Sequence, residues 1–358
     1  MPKFHTLKVK DIRRETKDAV SIAFSVPEPL VDDYSFIQGQ YLTMKTMIDG
    51  EEVRRSYSVC VSPLEKELRV AIKKVYLGRF STYANERLKV GDELEVMTPM
   101  GRFHTEIKVD QQKTYLGFAG GSGITPIISI LKTVLEVESE SRFILFYANR
   151  KTDSIIFLEQ LEALKNKYMD RFIMHHVLSE ETLESELFNG FITAEKVRSF
   201  ANLLFNINSV DECFICGPEP MMLAIREGLQ SLGMDNKQIH MELFASPGAP
   251  KKVAVVAKPD FDPSVQSKVS IQLDGDRFDM LLDYGGENIL DAALKSGADL
   301  PFACKGGVCC TCRAKLTEGE VIMDVNYALE PEEVEAGFIL TCQAHPRTER
   351  IVVDFDEK

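Results

Sequence analysis

The chain has 358 residues, of which 44% are hydrophobic and 27% are charged, and its formal net charge at pH 7 is −13. This length is too great for one ordinary core and predicts about two or three domains. The acidic balance argues against a nucleic-acid partner, because contact with phosphates requires a basic surface. The sequence has no apolar run of roughly 18 residues and no N-terminal signal core, so we expect a cytoplasmic protein that does not enter a membrane.

Residues 1–106 consist of short apolar runs separated by turns. Apolar side chains recur at every second position in residues 20–26 and in part of residues 68–75, and Val90-Gly91-Asp92 is a turn signal. Alternation of this kind is typical of strands with one buried face. The pattern predicts a small antiparallel β-barrel as the first domain.

Residues 107–245 alternate between apolar strands and helical segments. Buried strands are predicted at 114–119, 143–148 and 212–218, and helical periodicity occurs at 127–135 and 221–232. A strand that alternates with a helix predicts a parallel, doubly wound sheet. We therefore expect an α/β second domain.

The last third of the chain begins with a linker. Residues 246–266 contain four prolines and few aromatic residues, a composition typical of a connection between domains. Residues 267–358 then form an α+β pattern with 18 acidic and 9 basic residues, a net charge of −9. An acidic module of this kind suits docking on a basic protein surface, although solubility alone would account for the charge equally well.

Four cysteines in this last segment have a diagnostic spacing. They fit the C-x4-C-x2-C…C pattern of a plant-type [2Fe–2S] cluster, and they are Cys304, Cys309, Cys312 and Cys342. The paired Gly306 and Gly307 let the loop curl closely around a cluster. Because such a cluster carries one electron at a time, the sequence predicts a protein that moves electrons.

A zinc site and a disulfide framework both fit these cysteines less well than a cluster does. A structural zinc site more usually has paired short spacings, and 8 cysteines among 358 residues do not make a disulfide framework. Cys310 lies within the motif, but its use as a ligand would break the spacing. We expect it to act as a small apolar side chain.

Two short motifs in the first domain suit a flavin nucleotide. Arg55 offers a fork for a phosphate, Tyr57 a face for a flat ring, and Ser58 a hydroxyl for a ring nitrogen. About 20 residues later, Gly78 precedes Ser81 at the start of a predicted helix, whose N–H groups favour a pyrophosphate. Each motif alone is weak, but the two in this order reinforce each other.

The second domain has the corresponding features for a dinucleotide. The loop 120–126 is rich in glycine and lies between a predicted strand and a predicted helix, where a pyrophosphate would bind. Its spacing is not G-x-G-x-x-G, so the motif alone is of moderate strength. Arg150 and Lys151 follow the second strand, where basic side chains suit the 2′-phosphate of NADPH; a solvated loop is the alternative.

Taken in order, these motifs resemble those of the ferredoxin–NADP reductase superfamily. Arg55-x-Tyr57-Ser58 and Gly78-x-x-Ser81 resemble its flavin motifs, and Gly121-x-Gly123-x-Thr125-Pro126 and Cys216-Gly217-Pro218 resemble its nicotinamide motifs. A segment similar to a plant-type ferredoxin follows, for which the resemblance implies a β-grasp fold. The similarity extends over nearly the whole chain.

The resemblance also implies cofactors and residue roles. It implies FAD rather than FMN, with Arg55 on the flavin phosphate, Tyr57 on the isoalloxazine and Ser58 facing its N5. Ser81 and Thr82 would hold the pyrophosphate, and Cys216 would lie beside the nicotinamide. The complete set of implied cofactor-binding residues is Arg55, Ser56, Tyr57, Ser58, Ile72, Lys73, Val75, Gly78, Phe80, Ser81, Thr82, Gly120, Gly121, Gly123, Thr125, Pro126, Arg150, Lys151, Cys216, Gly217 and Pro218.

The domain order is similar to that of reductases serving separate oxygenases. Residues 324–329 and 337–343 most resemble reductases of phenylacetyl-CoA epoxidase, so we expect transfer from NADPH through FAD and the cluster to that di-iron oxygenase. A Rieske dioxygenase or a steroid hydroxylase is the alternative acceptor, and a redox-sensing or electron-storing module is the alternative of another class. The sequence has no Glu-x-x-His pair, so we do not expect the chain itself to activate oxygen.

Overall fold

The computed structural model describes residues 3–244 and 265–357. The chain separates into two compact units, one of residues 4–244 and one made largely of the residues that follow. The predicted linker lies outside the described residues, apart from its last two positions. Within the two described ranges, no helix is both long enough and apolar enough to cross a membrane.

A curled antiparallel sheet forms the first part of the larger unit. Its strands are β1 (Phe4–Thr16), β2 (Ala19–Ser25), β3 (Tyr41–Ile48), β4 (Glu51–Ser58), β5 (Leu68–Lys73) and β6 (Glu93–Met97). Their order across the sheet is β4-β3-β6-β1-β2-β5. The sheet curls until Val59, just beyond β4, pairs with Val70 of β5, and helix α1 (Arg79–Glu86) follows β5. The predicted antiparallel barrel is confirmed.

A five-stranded parallel sheet forms the second part of this unit. Its strands are β7 (Thr114–Gly120), β8 (Arg142–Asn149), β9 (Phe172–Leu178), β10 (Glu212–Gly217) and β11 (Ile239–Leu243), in the order β11-β10-β7-β8-β9. The four helices are α2 (Ile124–Val137), α3 (Leu158–Lys167), α4 (Ala194–Leu203) and α5 (Glu219–Ser231). All the ladders are parallel, as predicted.

Helices cover both faces of the parallel sheet because successive strand residues point in opposite directions. Tyr115 of β7 packs in one core with Ile127 of α2, whereas the next residue, Leu116, packs in another with Ile225 of α5. Because all five strands run parallel, their carboxyl ends lie at one edge of the sheet. That edge is where a doubly wound sheet binds its ligand.

The barrel packs directly against the first helix of the parallel sheet. Ser129 of α2 donates to the carbonyl of Val61 at 2.6 Å, and the Thr133 and Ser62 hydroxyls lie 2.9 Å apart. All four residues are buried. These contacts fix the end of β4 relative to the carboxyl edge of the parallel sheet.

The smaller unit is an α+β domain. Its main sheet contains β12 (Gln266–Leu273), β13 (Asp276–Asp283), β14 (Arg313–Glu318), β16 (Phe338–Leu340) and β18 (Arg350–Asp354), in the order β13-β12-β18-β14-β16. The remaining elements are the pair β15 (Val321–Met323) and β17 (Ala344–Pro346) and the helices α6 (Ile289–Lys295) and α7 (Pro331–Glu335). Ile289 and Leu290 of α6 pack into the core of the sheet, which confirms the predicted β-grasp class.

One arginine is buried in the wall of the barrel. Arg69 of β5 is 2% exposed and donates to Glu67 at 2.9 Å, to Ser21 at 2.8 Å and to Asp11. Its guanidinium holds the pKa values of Asp11 and Glu67 below their usual range. Removing the cation leaves Glu67 without its ion-pair partner and leaves Asp11 paired only with the exposed Arg13.

We predict that Arg69→Ala lowers the free energy of unfolding by about 2–3 kcal/mol, measured by urea titration. The value is below the ~3–5 kcal/mol expected for a fully buried pair, since water reaches Asp11 and Glu67. Arg13 also pairs with Asp11, at 2.8 Å, but is 54% exposed, so Arg13→Ala should cost under about 0.5 kcal/mol. Equal losses for the two variants would contradict this role of Arg69 in the barrel wall.

Candidate functional site: two nucleotide-binding halves and a four-cysteine loop

The predicted flavin residues lie along the C-terminal half of β4. The Tyr57 ring lies 5.6 Å from the ring of Phe80 in α1, so strand and helix form one surface. Arg55 donates to the carbonyl of Arg54 at 2.6 Å, and the Ser56 hydroxyl lies 2.9 Å from that of Thr43. Arg55 and Tyr57 are both half-buried, which leaves part of each side chain accessible to a ligand.

The loop before α1 has the form of an anion site. Gly78 is the N-cap of α1, and the N–H of Thr82 bonds to its carbonyl at 2.9 Å. The Ser81 hydroxyl accepts from the N–H of Val75 at 3.2 Å and donates to the Gly78 carbonyl at 3.1 Å. Ser81 therefore ties the loop together with its hydroxyl. The N–H groups of the first helical turn would be available to a bound pyrophosphate, as the sequence predicts.

Four further residues that the resemblance implied lie in the same stretch. Ile72 is fully buried and Phe80 is 1% exposed, so both side chains belong to the barrel core, and Val75 is exposed. Lys73 follows Ile72 at the end of β5, and its Nζ lies 3.4 Å from the point where a Cβ on Gly121 would stand. The barrel thus extends a lysine to the glycine-rich loop of the parallel sheet.

That glycine-rich loop links the carboxyl end of β7 to α2. Gly120 ends β7, residues 121–123 make one tight turn, and Thr125 and Pro126 lie in the first turn of α2. A Cβ on Gly123 would stand 2.0 Å from the carbonyl oxygen of Cys216. Gly123 is therefore required because α2 begins in contact with the end of β10.

Hydrogen bonds hold this loop in place. The Thr125 hydroxyl donates to the carbonyl of Ser122 at 3.0 Å, and the Tyr147 hydroxyl of β8 donates to that of Gly121 at 2.9 Å. Cys216 and Gly217 end β10 and Pro218 is the N-cap of α5, so the two nicotinamide motifs meet at the same edge of the sheet. These bonds hold the loop at the carboxyl edge of the sheet, where a doubly wound fold binds a dinucleotide.

The two nucleotide-binding halves meet at Ser58. Its hydroxyl donates to Glu242 Oε2 at 3.0 Å, across the junction of β4 and β11. Glu242 lies opposite Cys216 in the β10–β11 register, and Cys216 is fully buried. A flavin on Ser58 and a nicotinamide on Cys216 would therefore share one small region.

Glu242 was not among the residues predicted from the sequence. Burial raises the pKa of its carboxyl to about 8, with the Ser58 hydrogen bond acting in the opposite direction. Burial and then the Glu242 charge also raise the pKa of the Cys216 thiol. The sequence contained one indication of this residue, which is an acidic side chain within the short strand β11. Its importance depends on Ser58, 184 residues away in the sequence.

Arg150 and Lys151 lie just beyond β8, at the same edge of the sheet, and both are exposed. Burial, and after it the charge of Arg150, lowers the pKa of Lys73, so these two cations face one region. No sequence motif indicated a nearby acid, but the Glu180 carboxylate lies 3.6 Å from Arg150 Nε. The region is therefore less positive than the sequence suggested.

The four predicted cluster ligands come together as two pairs. The Cys309 thiol donates to Cys304 Sγ at 3.1 Å, and the Cys312 thiol bonds to Cys342, whose pKa it lowers. Within residues 3–244 and 265–357, no three acidic, histidine or cysteine side chains converge on a single metal ion. Pairs rather than triplets fit a [2Fe–2S] cluster, in which each iron takes two cysteines.

Hydrogen bonds favour a thiolate at one cysteine of each pair, because the pKa values of Cys304 and Cys342 are lowered while those of Cys309 and Cys312 are raised. The Cys309 thiol lowers the pKa of Cys304 to about 6, and the N–H groups of Gly306 and Val308 act in the same direction. Gly307 has φ +73°, and a Cβ there would stand 2.9 Å from Val325 Cγ2, so the curl of the loop requires glycine. These donors and this close packing fit an anionic iron–sulfur group.

Cys310 has a different environment from the four pairing cysteines. Its thiol donates to the carbonyl of Ala328 at 3.2 Å. The sulfur is half-buried and packs at the edge of the domain core. This contact supports the expectation that Cys310 is not a ligand.

Three known domain families match successive parts of the chain. Residues 6–105 match the oxidoreductase FAD-binding domain, residues 118–227 the oxidoreductase NAD-binding domain, and residues 272–347 the 2Fe-2S iron-sulfur cluster binding domain. The order agrees with the predicted order of cofactors. FAD, a nicotinamide nucleotide and a [2Fe–2S] cluster are therefore the cofactor classes of this oxidoreductase.

Curated relatives cover the whole chain. It is 47% identical over 358 residues to a subunit of 1,2-phenylacetyl-CoA epoxidase of Escherichia coli, covering 100% of this chain and 99% of the relative. It is 35% identical to the ferredoxin reductase component of 3-ketosteroid-9-alpha-monooxygenase of Rhodococcus rhodochrous, covering 98% and 96%. Among solved structures, phthalate dioxygenase reductase matches with TM-score 0.60 and 22% identity, covering 98% of each chain, which shows the shared fold.

The cysteine assignment makes a direct prediction about iron content. Replacing Cys304, Cys309, Cys312 or Cys342 by Ala should lower bound iron from about two per chain to near zero, since each iron loses a thiolate. Cys310→Ala is the matched control and should keep about two. Full iron content in Cys304→Ala, measured by colorimetric assay, would show that the ligand set is wrong.

The raised pKa of Glu242 predicts a pH-dependent stability. Folding retains a proton that the unfolded chain loses, because the folded pKa of about 8 lies above the ordinary 4.5. Glu242 therefore destabilises the fold increasingly as pH rises through that window. Relative to wild type, the free energy of unfolding of Glu242→Gln should rise by about 1–3 kcal/mol between pH 5 and pH 8. This rise is smaller than the full difference between the folded and unfolded pKa values would give, because the side chain is only half-buried.

The measurement is urea unfolding of the flavin-loaded protein at both pH values. Glu227→Gln, which alters an exposed carboxylate of α5, is the control and should show no such trend. A difference between Glu242→Gln and wild type that stays constant from pH 5 to pH 8 would mean that the carboxyl titrates normally.

Proposed function

This chain belongs to the ferredoxin–NADP reductase superfamily, in the group that joins FAD-binding, NAD-binding and 2Fe-2S domains, and from that premise we propose its reaction. It takes electrons from NADPH and passes them through FAD and the cluster to a separate oxygenase. The observation that carries the proposal is the meeting of Ser58, Cys216 and Glu242 at one junction. A flavin motif and a nicotinamide motif that converge in this way suit direct hydride transfer.

Each set of residues has a distinct task. Arg55, Tyr57 and Ser58 orient the flavin, and the first turn of α1 holds its pyrophosphate. The loop at residues 120–126 holds the nucleotide, and the buried Cys216 excludes water from the contact. The flavin, when bound, accepts two electrons together and releases them singly, which is why it must act between a hydride donor and a one-electron cluster.

Glu242 holds a proton at the junction. Burial raises the pKa of its carboxyl to about 8, which favours the neutral form at pH 7, and Ser58 bonds to Oε2. A neutral carboxyl avoids placing a negative charge beside a ring that gains electrons. Cys216 likewise stays a neutral thiol, because burial raises its pKa.

We propose NADPH as the donor because basic residues lie at the edge of the sheet where the adenosine ribose of a dinucleotide binds. Arg150 and Lys151 lie beyond β8, and Lys73 approaches from the barrel. A phosphate attracts these groups through charge-assisted hydrogen bonds. All 8 cysteines are free of disulfide bonds, which suits a reducing compartment, so we also propose that the protein acts in the cytoplasm.

The proposed acceptor is the oxygenase of phenylacetyl-CoA epoxidase. The identity to the matching subunit of that epoxidase is 47%, against 35% for the ketosteroid monooxygenase reductase, and both relatives are covered nearly completely. The net charge of −9 on residues 267–358 suits docking on a basic face of that oxygenase. A steroid or Rieske-type oxygenase is the alternative acceptor.

The test compares two electron acceptors. With NADPH, wild type should reduce ferricyanide rapidly and should support epoxidation of phenylacetyl-CoA by the purified oxygenase component. Cys304→Ala should keep most of the ferricyanide activity, because the flavin site lies in the other unit. It should lose at least about 100-fold in epoxidation, measured by product formation, because one-electron delivery needs the cluster.

Cys310→Ala is the control and should support epoxidation at the wild-type rate. Full epoxidation with Cys304→Ala would remove the cluster from the electron path. Epoxidation that fails with wild type, while a steroid or Rieske-type oxygenase is reduced, would correct the acceptor and leave the reductase function in place.

A further inference from the structure

The ends of β8 and β9 hold an acidic residue beside the proposed 2′-phosphate site. Beyond the strands, the N–H of Ser179 donates to the carbonyl of Asn149 at 3.1 Å, and the N–H of Glu180 donates to that of Arg150 at 2.9 Å. The parallel pairing therefore continues past both strands. Because the backbones are bonded, Glu180 stays next to Arg150 whatever rotamer either side chain adopts.

The two side chains form an exposed ion pair. Arg150 Nε and Glu180 Oε1 are 3.6 Å apart, and the side chains are 77% and 52% exposed. A pair this exposed adds little to the stability of the fold. The pair instead affects a ligand that binds at this edge, because Glu180 partly neutralises the charge of Arg150.

A second carboxylate lies on the same loop but has a structural task. Glu181 accepts from the N–H and the hydroxyl of Thr152, both at 2.8 Å, and these bonds lower its pKa. Its oxygens are thus occupied in holding residues 151–154. Glu180 is the acid whose carboxylate faces Arg150 directly.

This arrangement affects NADPH and NADH differently. The adenosine ribose of a dinucleotide binds after the second strand of such a sheet, beside Arg150. A 2′-phosphate there must displace Glu180 from the guanidinium and then remain close to a carboxylate. The uncharged 2′-hydroxyl of NADH carries neither cost, so Glu180 penalises one nucleotide only.

We propose that Glu180 is a specificity-determining residue, which restrains the preference for NADPH over NADH by competing with the 2′-phosphate for Arg150. The proposal rests on the proposed function, in that the chain oxidises a nicotinamide nucleotide at this edge of the sheet. Lys151 follows Arg150 in the chain and adds a second basic residue to the same loop. The wild type therefore has a smaller selectivity than its basic residues alone would provide.

The first test is steady-state kinetics with ferricyanide, which needs no oxygenase. Glu180→Gln should raise the ratio of kcat/KM for NADPH to kcat/KM for NADH by about tenfold, through NADPH alone. Glu180→Asp keeps the charge and should retain the wild-type ratio. Glu227→Gln, on the exposed face of α5, is the matched control for overall charge and should also leave the ratio unchanged.

The second test measures binding without turnover. Isothermal titration calorimetry of the flavin-loaded protein with 2′,5′-ADP should show about tenfold tighter binding to Glu180→Gln than to wild type. Binding of 5′-AMP, which lacks the 2′-phosphate, should not change. The difference should shrink as salt rises, because exposed charges are screened over about 8 Å at physiological ionic strength.

The outcomes separate this proposal from the proposed function. If Glu180→Gln leaves both the kinetic ratio and the 2′,5′-ADP affinity unchanged while wild type still oxidises NADPH, Glu180 is not a determinant and the reductase function stands. If Glu180→Asp shifts the ratio as much as Glu180→Gln, shape rather than charge acts and the proposal fails. A wild type that oxidises neither nucleotide would overturn the proposed function itself.

Discussion

The hydrogen bond between Ser58 and Glu242 joins residues 184 positions apart and connects the flavin strand to the last strand of the parallel sheet. The rest of the site depends on this junction. Glu242 lies opposite Cys216 in the β10–β11 register, and Gly123 lets α2 begin against the carbonyl of Cys216. Because the Ser129 and Thr133 hydroxyls bond α2 to residues just after β4, the barrel and the sheet hold the junction from two sides.

The division into two units corresponds to the two kinds of electron transfer. The larger unit has motifs for two organic cofactors and encloses neutral, buried groups such as Cys216, which suits the movement of a hydride. In the smaller unit, thiol and N–H donors lower the pKa of one cysteine in each pair, Cys304 and Cys342, which suits an anionic cluster. The organic cofactors and the cluster are thus served by separate folds, each a compact unit.

Local patterns in the sequence predicted much of this architecture. The cysteine spacing, the loop at 120–126 and the alternation of strand and helix each lie within a short stretch, and the confirmed folds follow from them. Contacts between distant segments were not predictable. Glu242 belongs to the site because it accepts a hydrogen bond from Ser58, and Glu180 reaches Arg150 only because β8 and β9 are neighbours. Ser81 is predicted to hold a phosphate, and the structure adds that its hydroxyl closes the loop on Val75 and Gly78, a detail set by backbone geometry.

The proposed function requires this one chain to move electrons from a nicotinamide nucleotide to its own [2Fe–2S] cluster. The most direct measurement mixes the purified holoprotein with NADPH under anaerobic conditions, freezes it within one turnover and records the electron paramagnetic resonance spectrum. We expect the signal of a reduced [2Fe–2S] cluster, absent from Cys304→Ala. A bleached flavin accompanied by a cluster that is present but stays oxidised would contradict the proposed electron path.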